Sequence, residues 1–379
     1  MSYADDSRFV LTLDAGGTNF VFSVLQGMRS IADTITLPSN GNNLEKCLQG
    51  IVDGFSELQA GLTCKPSAIS FAFPGPADYP KGIIGDLGNL PGFRGGVALG
   101  PMLQEKFGIP VFINNDGDLF AYGEAIAGLL PWVNGMLKNA GSPKKYYNLF
   151  GITIGTGLGG GLVINNSLFT GDNSAGAEVW LLRDGVNPTC FAEEEISIRA
   201  VQRTYHSHTR KSESSLLSPK EIAEIADGKH EGDMVAARLA YQSLGASLGD
   251  ALANIITITD SIVVVGGGLS NAYHLFAPAM LAQLNGSIST TSGEQVNRLE
   301  SKVYDLEDEG QCSLFVKGEN RKIKVPLSSR EVDYDPLKRI GIGVSRLGTS
   351  HAVAIGAYVY ALNMLDHGTF QDSPLLLNA

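Results

Sequence analysis

Three glycine clusters and a few carboxylates are the residues of this chain whose types and spacing could do chemistry. The clusters are LDAGGTN (Leu13–Asn19), GTGLGG (Gly155–Gly160) and GGGLS (Gly266–Ser270). GTGLGG fits the G-x-G-x-x-G template of dinucleotide sites, which carries meaning only between a strand and a helix. Here the strand-like LFGITI precedes it, and LVINNSLFTG follows with β-branched residues and an Asn-Asn turn but no helical period. The glycines therefore join two strands, and a nicotinamide site fails on pattern. A glycine-rich hairpin can serve phosphate instead, because absent side chains let its oxygens approach backbone N–H groups. Asp14, closing its strand, is placed to hold Mg²⁺ through water, since magnesium takes one or two carboxylates and keeps its waters. The structural alternative is that Gly16, Gly17, Gly155 and Gly157 only supply positive φ in β-turns. Two hairpins plus a third cluster favour phosphate. INNDGDLFAYGE (Ile113–Glu124) offers Asp116 either as a helix cap or as a general base at the carboxyl end of a strand, with Asp118 competing.

The elements that must hold these residues alternate. FVLTLD and FVFSVL flank the first glycine turn as strands, and Leu44, Leu48, Ile51, Phe55 and Leu58 recur at helical spacing. A strand AISFAF, a helix near 98–107, a strand PVFI and a helix from Asp116 to Leu129 follow. The second half restarts with LFGITI, a glycine turn and GGLVI. Helices are expected near 193–206, 218–227 and 231–258, then the strand SIVVV opening into the third cluster. Residues 285–347 are polar, with SLFVK and KIKVP as short strand candidates, and suggest a surface insertion. AVAIGAYVYALNML is a final apolar helix. Such alternation implies an α/β fold with largely parallel sheets and antiparallel hairpins at their edges. A strand–glycine turn–strand unit opens each half, suggesting two related lobes that face one cleft.

Composition bounds the rest. The 379 residues are 44% hydrophobic and 18% charged, as in a globular enzyme, and suffice for two domains. A formal charge of −11 argues against nucleic-acid binding, which needs a basic face. Cys47, Cys64, Cys190 and Cys312 lack paired spacing, as expected of free thiols in a reducing compartment. There is no signal-peptide pattern and no apolar run of spanning length, so the expectation is a cytoplasmic protein without membrane contact.

Taken in order, LDAGGTN, PGP, NLPGF, NNDGDLFAYGE, GTGLGGG, GGGLS and AIGA make the chain resemble the ROK family of sugar kinases, within the actin–hexokinase superfamily. The resemblance covers nearly all of it apart from 285–347. It implies a two-lobed, actin-like (ribonuclease H-like) α/β fold with mixed sheets and an interlobe cleft. The smaller lobe would be 1–126 plus 350–379, and the larger 127–349. It further implies a first phosphate loop of Asp14, Gly16, Gly17, Thr18 and Asn19, and a second of Gly155, Thr156 and Gly157. Gly266, Gly267 and Gly268 would border the adenosine. Asp116 matches the catalytic base, Asn115 stands beside it on the sugar, and Asn89 matches a sugar-binding asparagine. The implied reaction is in-line transfer of the γ-phosphoryl group of ATP, with Mg²⁺, to the 6-hydroxyl of a hexose by a homodimeric enzyme.

The family pattern breaks after its second loop. Where G-E-x-G-H and a C-x-C-G-x-x-G-C zinc cluster are usual, this chain reads SAGAEVWLLRDGVNPTCFAEEEISIRA (Ser174–Ala200). Glu178 matches the first sugar-binding glutamate, one residue from Ala177, and Trp180 stands near the missing histidine's place. One cysteine without histidine cannot build a tetrahedral zinc site, so no zinc is expected. The E-x-x-x-S spacing back from Ser197 makes Glu193 the second sugar glutamate, with Glu194 and Glu195 as neighbours in register. The structural alternative for this acidic run is a helix's first turn. His206, His208 and His230 read as solvated. Three functions compete: a glucose-type hexose kinase, an N-acetylhexosamine (GlcNAc or ManNAc) kinase, and a non-catalytic sugar sensor. A DNA-binding repressor of the family would need a helix-turn-helix, and only thirteen residues precede Asp14.

Overall fold

The computed structural model describes residues 3–16, 18–85, 91–209 and 217–367. Contacts divide the chain into two compact units, Met1–Ile126 with Thr170–Gly176 and Ser350–Ala379, and Ala127–Phe169 with Ala177–Thr349. The sequence alone places Thr170–Gly176 in the larger lobe. It groups instead with the first unit, as a loop closed on itself where the Gly176 N–H donates to the Thr170 carbonyl (2.9 Å).

In the first unit the strand Val10–Ala15 pairs antiparallel with Asn19–Gln26 across the glycine turn, setting Asp14 opposite Val21. On its other side lie the parallel strands Ala68–Ala72 and then Val111–Asn114. The helix α1 (Leu44–Ala60) starts where the Asn43 side chain accepts the Lys46 N–H, satisfying a free helix-end donor. Its Cys47, Ile51, Phe55 and Leu58 are buried, and Gly54 lets the helix lie directly on Phe22. Phe22 packs edge-to-face on Phe55 (5.1 Å, 84°), and the ring contacts continue, tilted or edge-on, through Phe71 and Phe73 to Phe93. Each such burial stabilises by roughly 1.5–3 kcal/mol. Helix α2 (Leu99–Phe107) connects the two parallel strands, and α3 (Asp116–Ile126) leaves the last of them.

Helix α4 (Leu129–Asn139) opens the second unit after Gly128. The sequence reading runs one helix to Leu129, whereas the chain breaks at the turn and starts a new one. Strands Leu149–Ile154 and Leu158–Ile164 form the second glycine hairpin, and Ser167–Phe169 extends it. Ile262–Gly266, Arg339–Val344 and Lys302–Asp305 then add in parallel. The crossovers are α5 (Ile198–Thr209), α6 (Pro219–Ala226) and α7 (Met234–Thr259), followed by α8 (Tyr273–Leu284) and α9 (Glu309–Lys317). Leu244, Leu248, Leu252 and Ile255 of α7 are buried in the core.

The stretch 285–347, expected as an insertion, is largely structural. It supplies two strands of the main sheet, while the hairpins Ser287–Asn297 and Arg321–Tyr334 are exposed. SLFVK is helical, not extended: Asp308 caps α9 by accepting the Gln311 N–H, and Phe315 is buried against Tyr146. The last helix, α10 (Thr349–His367), belongs to the first unit from Ser350 onward. Among the described residues no helix is long and apolar enough to cross a membrane.

Candidate active site

In the first unit, Asp14 is exposed at the end of its strand, and Thr18 and Asn19 are exposed just beyond the turn. Gly17 and Asn89 lie outside the described residues. Asn115 and Asp116 stand where Val111–Asn114 passes into α3. The Asn115 Oδ1 accepts the Gly117 N–H (2.7 Å), which leaves the NH₂ end as its remaining hydrogen-bonding group. The Asp116 carboxylate accepts the same N–H at 2.9 Å. It is open to solvent, yet crowded by protein atoms. This desolvation, together with the charge of Asp14, raises its pKa above the ordinary carboxylate range, against the pull of backbone N–H groups. Asp118, the rival on sequence, is only 5% exposed, whereas Asp116 is exposed.

Asp14 and Asp116 follow strands separated by one intervening strand, so the two positions are roughly 10 Å apart by sheet spacing. The Asp14 carboxylate has no hydrogen-bond or ion-pair partner among the described residues. One free carboxylate completed by water suits Mg²⁺.

Two close helix approaches fix α3. A Cβ on Gly123 would fall 2.0 Å from the Ala352 carbonyl oxygen of α10, and one on Gly356 would fall 1.9 Å from that of Leu119. The glycine of AIGA is therefore a packing residue that locks Asp116's helix.

In the second unit the hairpin turn closes through the Gly155 N–H to the Gly157 carbonyl (2.9 Å). Neither Gly16, Gly155 nor Gly157 has a left-handed φ, so the turn-geometry explanation fails at these positions. A Cβ on Gly155 would meet nothing within 4 Å, so neither packing nor φ requires glycine there. Thr156 is exposed at the tip. Gly267 is the opposite case, with φ +82° and a Cβ position within 2.4 Å of Ile154 backbone. This close fit sets the third cluster against the strand that leads into Gly155, while Gly268 faces open space.

Glu193 reaches the same turn. Its Oε2 accepts the Leu158 N–H (3.0 Å) and would touch a Cβ on Gly157, and its Oε1 pairs with Arg199 (2.9 Å). Glu195 pairs with Arg203 (2.9 Å), while the Glu194 carboxylate lies farther from both arginines and its carbonyl accepts from Arg203 (2.5 Å). The acidic run is not a helix's first turn. It forms a short 3₁₀ turn at Ala192–Glu194, and α5 begins only at Ile198. Glu178 is exposed and accepts the Trp180 indole N–H, while Trp180 packs edge-on to Phe191 (5.7 Å). Cys190 takes a hydrogen bond from the Asn187 amide (3.1 Å), and no metal-holding group of three or more His, Cys, Asp or Glu occurs among the described residues.

Sequence reading missed Arg199, whose partner Glu193 lies six positions away, outside helical spacing. It also missed Thr349, whose Oγ1 accepts the Gly267 N–H (2.9 Å) and ties the third cluster to the start of α10. A threonine just before a helical run is the signal that could have found it.

Comparison with known proteins identifies the family and the fold. A sequence model described as the ROK family matches residues 10–307. A crystal structure of a glucokinase from Parabacteroides distasonis superposes with a TM-score of 0.88 at 52% identity, covering 96% of this chain and 99% of that one. A glucokinase from Thermotoga maritima is 29% identical over 71% of this chain and 85% of its own length. An N-acetyl-D-glucosamine kinase from Vibrio parahaemolyticus is 26% identical over 68% and 83%. The two sheets, each opened by a glycine hairpin and continued by parallel strands, and the family match that spans both make the chain a member of the ROK family with the actin-like ATPase fold.

Proposed function

We propose that this sugar kinase transfers the γ-phosphoryl group of ATP to the 6-hydroxyl of a hexose, glucose or a close relative. One observation carries the reading: Asp116 is an accessible carboxylate at the carboxyl end of the strand Val111–Asn114, where it opens α3. Asp116 takes the hydroxyl proton as the O–P bond forms and the bond to ADP breaks, leaving a sugar phosphate and ADP. Asn115, Glu178, Glu193 and Asn89 are assigned to the sugar. Phosphoryl transfer is loose, so the protein contributes mainly position and charge. The open backbone at Gly155 supports a phosphate turn there, with Thr156 and Gly157, and Asp14, Gly16, Gly17, Thr18 and Asn19 form the first loop. Gly267 and Gly268 are assigned to the adenosine. Mg²⁺, held through water by Asp14, would neutralise charge on the phosphates.

A second reading, phosphorylation of an N-acetylhexosamine, is favoured by the N-acetyl-D-glucosamine kinase relative. ADP release across a panel of hexoses and N-acetylhexosamines decides between them, with the phosphorylated carbon located by NMR. The expected outcome is turnover with glucose-type hexoses. Binding of sugar without ADP release would leave the non-catalytic sensor. The same reading assigns a homodimer, checked by light scattering, in a cytoplasmic setting suited to four free cysteines.

A further inference from the structure

Asp184 is a buried carboxylate, 2% exposed, that the phosphoryl-transfer chemistry does not use. Its Oδ1 accepts the Val186 N–H (2.8 Å) and the Asn187 N–H (2.5 Å), closing a tight turn. The Asp184 N–H donates to the Cys190 carbonyl (3.1 Å), and Arg183 bridges Phe191, so residues 183–191 form a small hairpin. Directly after it the Ala192 N–H donates to the Leu182 carbonyl (2.7 Å), which fixes the direction in which Glu193 leaves. The segment then grips the glycine turn twice: Glu193 accepts the Leu158 N–H, and the Ile198 N–H donates to the Gly155 carbonyl (2.9 Å).

We propose that Asp184 is a positioning residue for the Gly155–Leu158 turn, holding without metal the hairpin that aims Glu193 at it. The functional part rests on the reading that this turn receives ATP phosphates. Without the carboxylate, the Val186 and Asn187 N–H groups lose their acceptor, the hairpin opens, and Glu193 loses its register on Leu158. A carboxylate hydrogen bond to backbone is worth enough that its loss speeds local amide exchange roughly tenfold.

The test compares the wild type with Asp184→Asn, Asp184→Ser and Asp184→Ala by hydrogen exchange and steady-state kinetics. Asparagine keeps the Oδ1 acceptor and should behave as wild type. Serine, with a shorter acceptor, should fall between, and it stands in if the alanine variant does not fold. Alanine should give roughly tenfold faster exchange at Leu158 and a raised KM for ATP. A residue that only stabilises the fold would lower Tm in all variants without changing exchange at Leu158 or KM. Unchanged Leu158 exchange in the alanine and serine variants, or equal losses in asparagine and alanine, would overturn the inference. Absence of ADP release by the wild type with every sugar would sink the kinase reading instead, and exchange at Leu158 would still decide whether Asp184 positions the turn.

Discussion

As the proposed base, Asp116 would have to be ionised to act, while its surroundings raise its pKa. Asp116→Asn should lower kcat by about 10²–10⁴-fold with KM for sugar and ATP little changed, as steady-state ADP release will show. Because the base works deprotonated, activity should fall with decreasing pH through a pKa above the usual carboxylate range. An acid limb at the position of an unperturbed aspartate would contradict the assignment. The stability effect has the opposite sign. A carboxyl whose pKa is raised on folding binds its proton more tightly in the folded state. That contribution is complete below the unfolded pKa and is lost as pH rises through the folded one. The ionised carboxylate therefore costs stability at pH 7, and Asp116→Asn should melt higher than wild type there, with the gap closing in acid. The place of Asp116 at a strand-to-helix junction was legible in the sequence because a strand ending in Asn-Asp before a helix is a local pattern. The burial that distinguishes Asp118 from it was not. Glu193's hold on Leu158 had no local signal either, because the two lie 35 positions apart.

Glycines divide by what their elements demand. At Gly356 the Cβ of alanine would enter the backbone of α3, so Gly356→Ala should push α3 off α10. Overpacking of this kind typically costs 1–3 kcal/mol, so thermal unfolding should show a lower Tm, and kcat should fall because Asp116 begins that helix. Gly155→Ala meets no atom and no unfavourable φ, so Tm should hold while KM for ATP rises. If both variants lose stability and neither changes KM, the phosphate role of Gly155 fails. Strands and amphipathic helices were legible at this scale through their periods. The break at Gly128 and the helix over SLFVK were not: the backbone turns out of the helix at Gly128, and the Asp308 cap outweighs a short apolar run. The stretch 285–347 misled because its two exposed polar hairpins hold more residues than the two sheet strands that follow them.

Over the whole molecule the fold was legible through the order of its motifs, and the expectation of no zinc rests on what the family pattern lacks here. With Cys190 bonded to Asn187 and no thiolate set around it, chelation should leave Tm unchanged, and Mg²⁺ alone should restore full ADP release. Loss of fold with EDTA, or stoichiometric zinc by elemental analysis, would overturn that expectation. Stability of the first unit also depends on residues far along the chain. Tyr358 receives the Gly27 N–H (2.9 Å), Asp366 pairs with Arg8 (2.6 Å), and Gly356 seats α3. During synthesis, then, the opening sheet leaves the ribosome more than two hundred residues before α10, and Leu119 and Gly123 wait uncovered until it arrives. The part of the protein translated first is among the last to be finished, and a ribosome stalled before Ser350 releases a chain with Asp116 present but its helix unsupported.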